Sequence, residues 1–302
     1  VTGTIGPRSG ILLLDKPAGL TSHDVVSRVR KLANTRKVGH AGTLDPMATG
    51  LLVLGLNSST RLLTYLVGLD KEYLATIRLG QSSTTDDAEG EISDTADTSA
   101  ISDADLERQI ATLTGPIEQV PSSVSAIKVD GRRAYDRARA GETVVLKSRP
   151  VTIHEFATLD IRRGEHLDLD VRIRCSSGTY IRALARDLGA SLGVGGHLTA
   201  LRRSQVGPFD VADAATLTDA TPESLAEQLQ HPADIASTLF GSVDLTAEQT
   251  RDLTQGKRIT LDAADTEIAA AISPEGRLVG LLKVSAGTAR PVVNFPTDEV
   301  LS

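Results

Sequence analysis

The sequence predicts an α+β protein built on a mixed, largely antiparallel sheet, with a small β-rich unit at its C-terminal end. Strand-like and helix-like segments follow one another without the regular alternation of a doubly wound sheet. At 302 residues the chain is long for one core and points to roughly two domains. Composition changes after residue 215, and Pro222 and Pro232 punctuate the path into an acidic final stretch. The expected division is a main domain over 8–236 and a smaller one over 237–302.

Each element has a local reason. Ile11–Leu14 is an apolar run that reads as a buried strand within Gly10–Lys16. Lys16-Pro17-Ala18-Gly19 is turn chemistry, because Pro fixes φ and Gly accepts positive φ. Thr21 or Ser22 then caps a helix that puts Val25, Val26, Val29 and Leu32 on one face. Residues 38–50 contain three glycines and keep no period, so they read as an irregular loop pinned between ordered elements. Leu51–Leu56 is a second apolar run, after which Ser58 is the expected cap of a helix reaching about Leu66. Lys71–Gly80 alternates with period two and reads as a strand.

The acidic, Ser/Thr-rich stretch 81–102 reads as a mobile surface insertion, and Ser102 with Asp105 as a capping box for the helix behind it. Asp130-Gly131 is a turn signal after the strand-like Ser125–Val129. Val151–Ile161 and Leu167–Cys175 are expected to pair, and Tyr180–Leu192 has helical spacing. Short strands are expected around Glu267–Ile272, Leu278–Val284 and Val292–Phe295.

Composition narrows the function classes. The net charge of −7 speaks against a nucleic-acid partner until its distribution is followed. Residues 84–107 hold nine acids and no Lys or Arg, and residues 205–302 carry a further net of −9. With both segments set aside, the remaining chain carries +11, a basic body suited to a phosphate backbone. A single cysteine, Cys175, excludes an internal disulfide and a Cys-based zinc site. The six histidines have no ligand spacing, so no metal is expected. No glycine-rich phosphate loop follows a strand, so no nucleotide cofactor is expected either. The first ten residues lack an apolar core of signal-peptide length, and no apolar run is long enough to span a membrane. The expectation is a cytoplasmic, monomeric protein with no obligate protein partner.

The most informative stretch is Gly39-His40-Ala41-Gly42-Thr43-Leu44-Asp45-Pro46. Taken alone, Asp45 is an ordinary turn or cap residue. In company it resembles the catalytic loop of the TruB-type tRNA pseudouridine synthases, which act on uridine 55. The resemblance extends, in the family's order, to Gly10–Gly19, His40–Gly50, Asp70–Gly80, Ser125–Gly141 and Ser176–Leu184. One departure is Val120-Pro121-Ser122-Ser123, where the family often has a double proline.

The resemblance implies the pseudouridine synthase fold, a PUA-like RNA-binding module at the end of the chain, and a reaction needing no cofactor. It implies Asp45 as nucleophile, Arg182 as the cation that pairs with it, and Tyr180 as the base for late proton removal. It further implies Tyr73 stacking on the flipped uracil, His40 filling the vacated space, and Leu201 packing beneath the base. Arg61 and Lys16 are weaker carry-overs to the substrate-binding set. The expected substrate is the T-arm of tRNA, read mainly by shape. Whether Asp45 attacks C6 of the base or C1′ of the sugar, or acts as a base in a glycal route, stays open in the sequence. A reading from another class is a tRNA-folding protein that opens the T-loop without chemistry; substitution of Asp45 separates the two.

Overall fold

The structure is a computed structural model that describes residues 8–93, 96–122, 128–129, 132–133, 146–218 and 220–295. The Asp130-Gly131 turn and most of the 125–141 motif lie outside the described residues. The chain divides into two compact units, one of Val1–Pro46, Leu51–Val67 and Val211–Ser302, the other of Met47–Gly50 and Gly68–Asp210.

In the first unit, the expected strand is present at Gly10–Lys16 and pairs in parallel with Ala215–Thr216. The helix Ser22–Leu32 starts at Thr21, whose hydroxyl accepts from the Asp24 N–H while the Asp24 carboxylate accepts from the Thr21 N–H. This reciprocal cap contributes about 1 kcal/mol. Val25, Val26 and Val29 are buried, and they pack with Leu12, Leu14, Leu52, Leu54 and Leu56 in one apolar core.

The predicted loop 38–50 is shorter than expected. Val38–His40 forms a strand antiparallel to Leu54–Leu56, and Thr49–Leu56 is a strand throughout. Ser58 caps nothing. Asn57 takes a positive φ of 53°, and a 3-10 turn over Asn57–Leu62 leads into the short helix Leu63–Val67 with no side-chain cap.

The same unit contains a separate five-stranded sheet in the order Ser242–Asp244, Thr266–Ile272, Leu278–Ser285, Thr288–Asn294, Ile259–Thr260. Leu245, Leu253, Ile259, Ala271, Leu282 and Val284 form its own core. The last long strand is Thr288–Asn294, earlier than the composition suggested.

In the second unit, Lys71–Leu79 runs antiparallel to Gly196–Val206 on one side and to Leu167–Cys175 on the other. Leu167–Cys175 pairs in turn with Arg149–Arg163, and Gly115–Gln119 closes that edge. The expected alternation is visible in burial: Lys71, Tyr73, Ala75, Ile77 and Leu79 are buried, whereas Leu74 is exposed. Leu167, Leu169, Val171, Ile173 and Cys175 are buried likewise. Thr49 and Gly50 pair in parallel with Arg202 and Arg203. A Cβ on Gly50 would lie 2.2 Å from the Arg203 carbonyl oxygen, and its φ is +100°, so only glycine fits there.

On the opposite face of this sheet, Arg78 is paired with Asp168, Arg162 with Asp170, and Arg172 with Glu155. These acids already enter the +11 balance, so the pairs order the sheet face without reducing that excess. Exposed Arg28, Lys31, Arg36 and Lys37, on and just after the helix Ser22–Leu32, form a basic surface.

The acidic stretch is not the appendage its composition predicts. Ser83 pairs with Ile92 and Asp87 with Leu198 through isolated bridges, and Asp87 is 3% exposed. Asp86 faces Arg186 at 3.2 Å, and Asp87 faces Arg182 at 3.5 Å. Basic partners about a hundred residues away in sequence turn part of an acid run into structure.

Candidate active site

Asp45 sits half-buried in the irregular loop between the strands Val38–His40 and Thr49–Leu56. Gly42 enters the loop with φ of +94°. Beyond it, the chain is fixed on both sides of Asp45. Before Asp45, the Leu44 N–H donates to the Ser22 hydroxyl at 2.8 Å, and that hydroxyl donates to the Leu44 carbonyl at 3.1 Å. After it, the Pro46 carbonyl accepts from the Gly19 N–H at 2.8 Å and from the Lys16 ammonium at 3.2 Å. Lys16 is wholly buried, and its ammonium also donates to the carbonyls of Pro17 and Leu20. Its three N–H groups thus have carbonyl acceptors. That geometry makes Lys16 a support of the Asp45 loop. Because Thr21 takes the cap, Ser22 is free to hold Leu44.

His40 ends the strand that leads into this loop, opposite Leu54. Arg61, in the same unit, donates to the Asn294 carbonyl at the end of the strand Thr288–Asn294.

The other expected residues belong to the second unit. Tyr73 is 8% exposed, lies opposite Arg203 and Ile173, and shares its sheet face with Ala75 and Leu201. Leu201 borders a groove of about 540 Å³ that Met47, Ala75 and Val171 also line. Tyr180 is the residue at which the helix Ile181–Ser191 begins. Its backbone N–H donates to Gln119 Oε1 at 2.8 Å, and its carbonyl accepts from Gln119 Nε2 at 3.0 Å.

Arg182, the second residue of that helix, is 3% exposed and donates through Nη1 to the Thr85 carbonyl at 2.8 Å. Its Nε lies 3.5 Å from Asp87 Oδ2. Asp87 in turn accepts from the Thr85 hydroxyl and from the Glu89 N–H. Asp87, Gln119 and Ser22 were invisible as functional residues in the sequence. Asp87 was hidden in an acidic run, while Gln119 and Ser22 carry no spacing signal.

Lys71, two residues before Tyr73, is 7% exposed. Burial, and then the charge of Arg203, pushes its ammonium down to about 8 from the usual 10.5. Burial pushes the Cys175 thiol, directly opposite it, up to about 11. Between about pH 8 and pH 9 the unfolded chain holds the Lys71 proton that the folded chain releases, so folding stability rises with pH there. Cys175 opposes this only above the thiol's ordinary value of 9.0, where the unfolded chain ionises first. Urea unfolding across that window should show the rise in the native protein and a flatter profile in Lys71→Met. Equal profiles would contradict the assignment.

A carboxylate on a loop whose backbone is hydrogen-bonded on both sides suits covalent or base chemistry on an organic substrate. Residues 30–181 match the family described as TruB family pseudouridylate synthase (N terminal domain). Residues 182–234 match the tRNA pseudouridylate synthase B C-terminal domain, and 240–296 match tRNA Pseudouridine synthase II, C terminal. The class is that of enzymes that make pseudouridine. The chain belongs to the TruB family.

It is 59% identical to tRNA pseudouridine synthase B of Leifsonia xyli subsp. xyli, covering 99% of each chain. It is 54% identical to the protein of that name from an Arthrobacter species, covering 96% of this chain and 98% of the other. Among solved structures, an H/ACA RNP bound to a substrate RNA containing 2′-deoxyuridine matches with a TM-score of 0.70 at 23% identity. That match covers 96% of this chain and 86% of the other. A Cbf5-Nop10-Gar1 complex matches with a TM-score of 0.68 at 24% identity, covering 95% and 84%. These two likenesses establish the fold. No helix among the described residues is long and apolar enough to cross a membrane.

Proposed function

We propose that this protein converts uridine 55 in the T-loop of tRNA to pseudouridine, with Asp45 as the group that attacks the target nucleotide. The reaction breaks the bond from N1 to C1′ and joins C5 to C1′; N1 gains a proton and C5 loses one. The uracil must be held while it is detached and turned. Tyr73, buried on its sheet face, suits stacking on that base, a contact worth about 1–3 kcal/mol. Leu201 supplies apolar packing, Tyr180 takes the C5 proton, and Arg182 serves as the cation that pairs with the nucleophile. His40 occupies the space the base vacates when it is extruded, a step that costs a few kcal/mol.

Lys16 contributes by holding the loop, and Arg61 by a contact at the edge of the substrate region. Exposed Arg28, Lys31, Arg36 and Lys37 are suited to backbone phosphates. Residues 237–302 act as a PUA-like module that adds RNA contacts, and the protein works as a cytoplasmic monomer.

The observation that carries the chemical reading is the fixing of Leu44 and Pro46 on either side of Asp45. It gives the backbone of residue 45 a set position before substrate arrives. Incubation with unmodified tRNA, followed by mapping of pseudouridine along the strand, should find it at position 55. A tRNA with cytidine there should gain none. Modification spread over other positions would overturn the assignment.

A further inference from the structure

We infer that Gln119 and Arg149 form a positioning pair for Tyr180, holding its backbone and its ring separately. The inference rests on the proposed role of Tyr180. Gln119 and Arg149 lie directly opposite each other in the antiparallel pair of Gly115–Gln119 with Arg149–Arg163. Gln119 is fully buried, and its amide donates to the Tyr180 carbonyl and accepts from the Tyr180 N–H. This amide therefore reads both polar groups of one peptide position, at the point where the chain enters the helix Ile181–Ser191. On the next strand the Arg149 guanidinium lies over the Tyr180 ring, 4.4 Å from its centroid.

The Arg149 contact is not an incidental crossing. Arg78, Arg162, Arg163 and Arg172, on the same sheet, each have a carboxylate partner. Arg149 has no ion pair among the described residues, and its Nε and Nη2 are buried without a hydrogen-bond acceptor there. An arginine in that state is unfavourable unless something else holds it, and buried polar atoms left unsatisfied call for an explanation. Here the aromatic face is the partner. Gln119 thus fixes where Tyr180 sits along the chain, and Arg149 fixes the plane of its ring. A tyrosine ring left to swing about its Cα–Cβ bond would carry its hydroxyl through an arc; the stacked guanidinium and the held backbone restrict that swing.

The test is a double-mutant cycle in single turnover on unmodified tRNA, with tRNA affinity measured alongside. Arg149→Met, Arg149→Lys and Gln119→Ala are each made alone and combined with Tyr180→Phe. Arg149→Met and Gln119→Ala should each slow turnover about 10- to 100-fold, the range expected for misplacing a reacting group. Affinity should stay within about twofold of the parent. Arg149→Lys keeps the charge over the ring but loses the planar fork, so it should recover part of the loss. Placed on Tyr180→Phe, none of these substitutions should add a comparable further loss, because they act through the hydroxyl.

Losses that multiply fully in the Tyr180→Phe background would overturn the inference while leaving the role of Tyr180 intact. Losses confined to affinity would overturn it as well. Wild-type turnover in Tyr180→Phe would remove the role of Tyr180 and the inference with it. Gln119 is deep in the core, so Arg149→Met, at a partly exposed position, decides the outcome if Gln119→Ala does not fold.

Discussion

Asp45→Asn is expected to lower turnover about 10⁴-fold or more, while tRNA affinity stays within about twofold. The substitution keeps the shape of the side chain and removes the carboxylate proposed as nucleophile. The position of residue 45 is set from its neighbours: Ser22 holds Leu44 by two hydrogen bonds, and Gly19 and Lys16 hold Pro46. An asparagine therefore occupies the same place with the wrong chemistry. Large losses follow when the attacking group of an enzyme is removed and its surroundings are left alone. A tRNA-folding protein without catalysis would lose little of either property. Equal loss of binding and turnover would mean that Asp45 acts in holding RNA.

Arg182→Met is expected to destabilise the fold by about 3–5 kcal/mol, because it strands a buried carboxylate. The Arg182 and Asp87 side chains are each 4% exposed, so water cannot replace the lost partner. The same change should lower turnover about 10²- to 10³-fold, as expected for loss of a fixed charge at a reacting centre. The two effects are separable. Adding Asp87→Asn removes the stranded charge, so urea unfolding of the double variant should recover much of the stability. Turnover should not return, since the cation is still missing. Recovery of both would assign Arg182 to structure alone, and unchanged stability in Arg182→Met would contradict the buried pairing.

Most of the elements were legible because their signals are local. The strand at Lys71–Leu79 follows from alternation, and the helix at Ser22–Leu32 from its cap and its valine face. Where the reading failed, a distant partner or an unusual backbone had decided the matter. Ser58 has the chemistry of a cap, but the positive φ of Asn57 starts a 3-10 turn first. Asp86 and Asp87 lie in a run that reads as solvated, yet Arg186 and Arg182 draw them inward.

The candidate site was legible as a set of motifs, and its support was not. Nothing in GILLLDKPAG says that Lys16 is buried behind residue 46. Nothing in IEQV says that Gln119 clasps Tyr180. Such contacts are made by groups far apart in the chain, and no periodicity marks them.

The central claim is that Asp45 does chemistry on the target uridine. The most direct measurement uses unmodified tRNA carrying tritium at uridine C5, with binding confirmed in the same samples. Joining C5 to C1′ expels that tritium into water. Wild-type protein should release the label of one uridine per tRNA, and Asp45→Asn should bind the tRNA and release none above background. Wild-type protein that binds the tRNA yet releases no more tritium than Asp45→Asn would contradict the account.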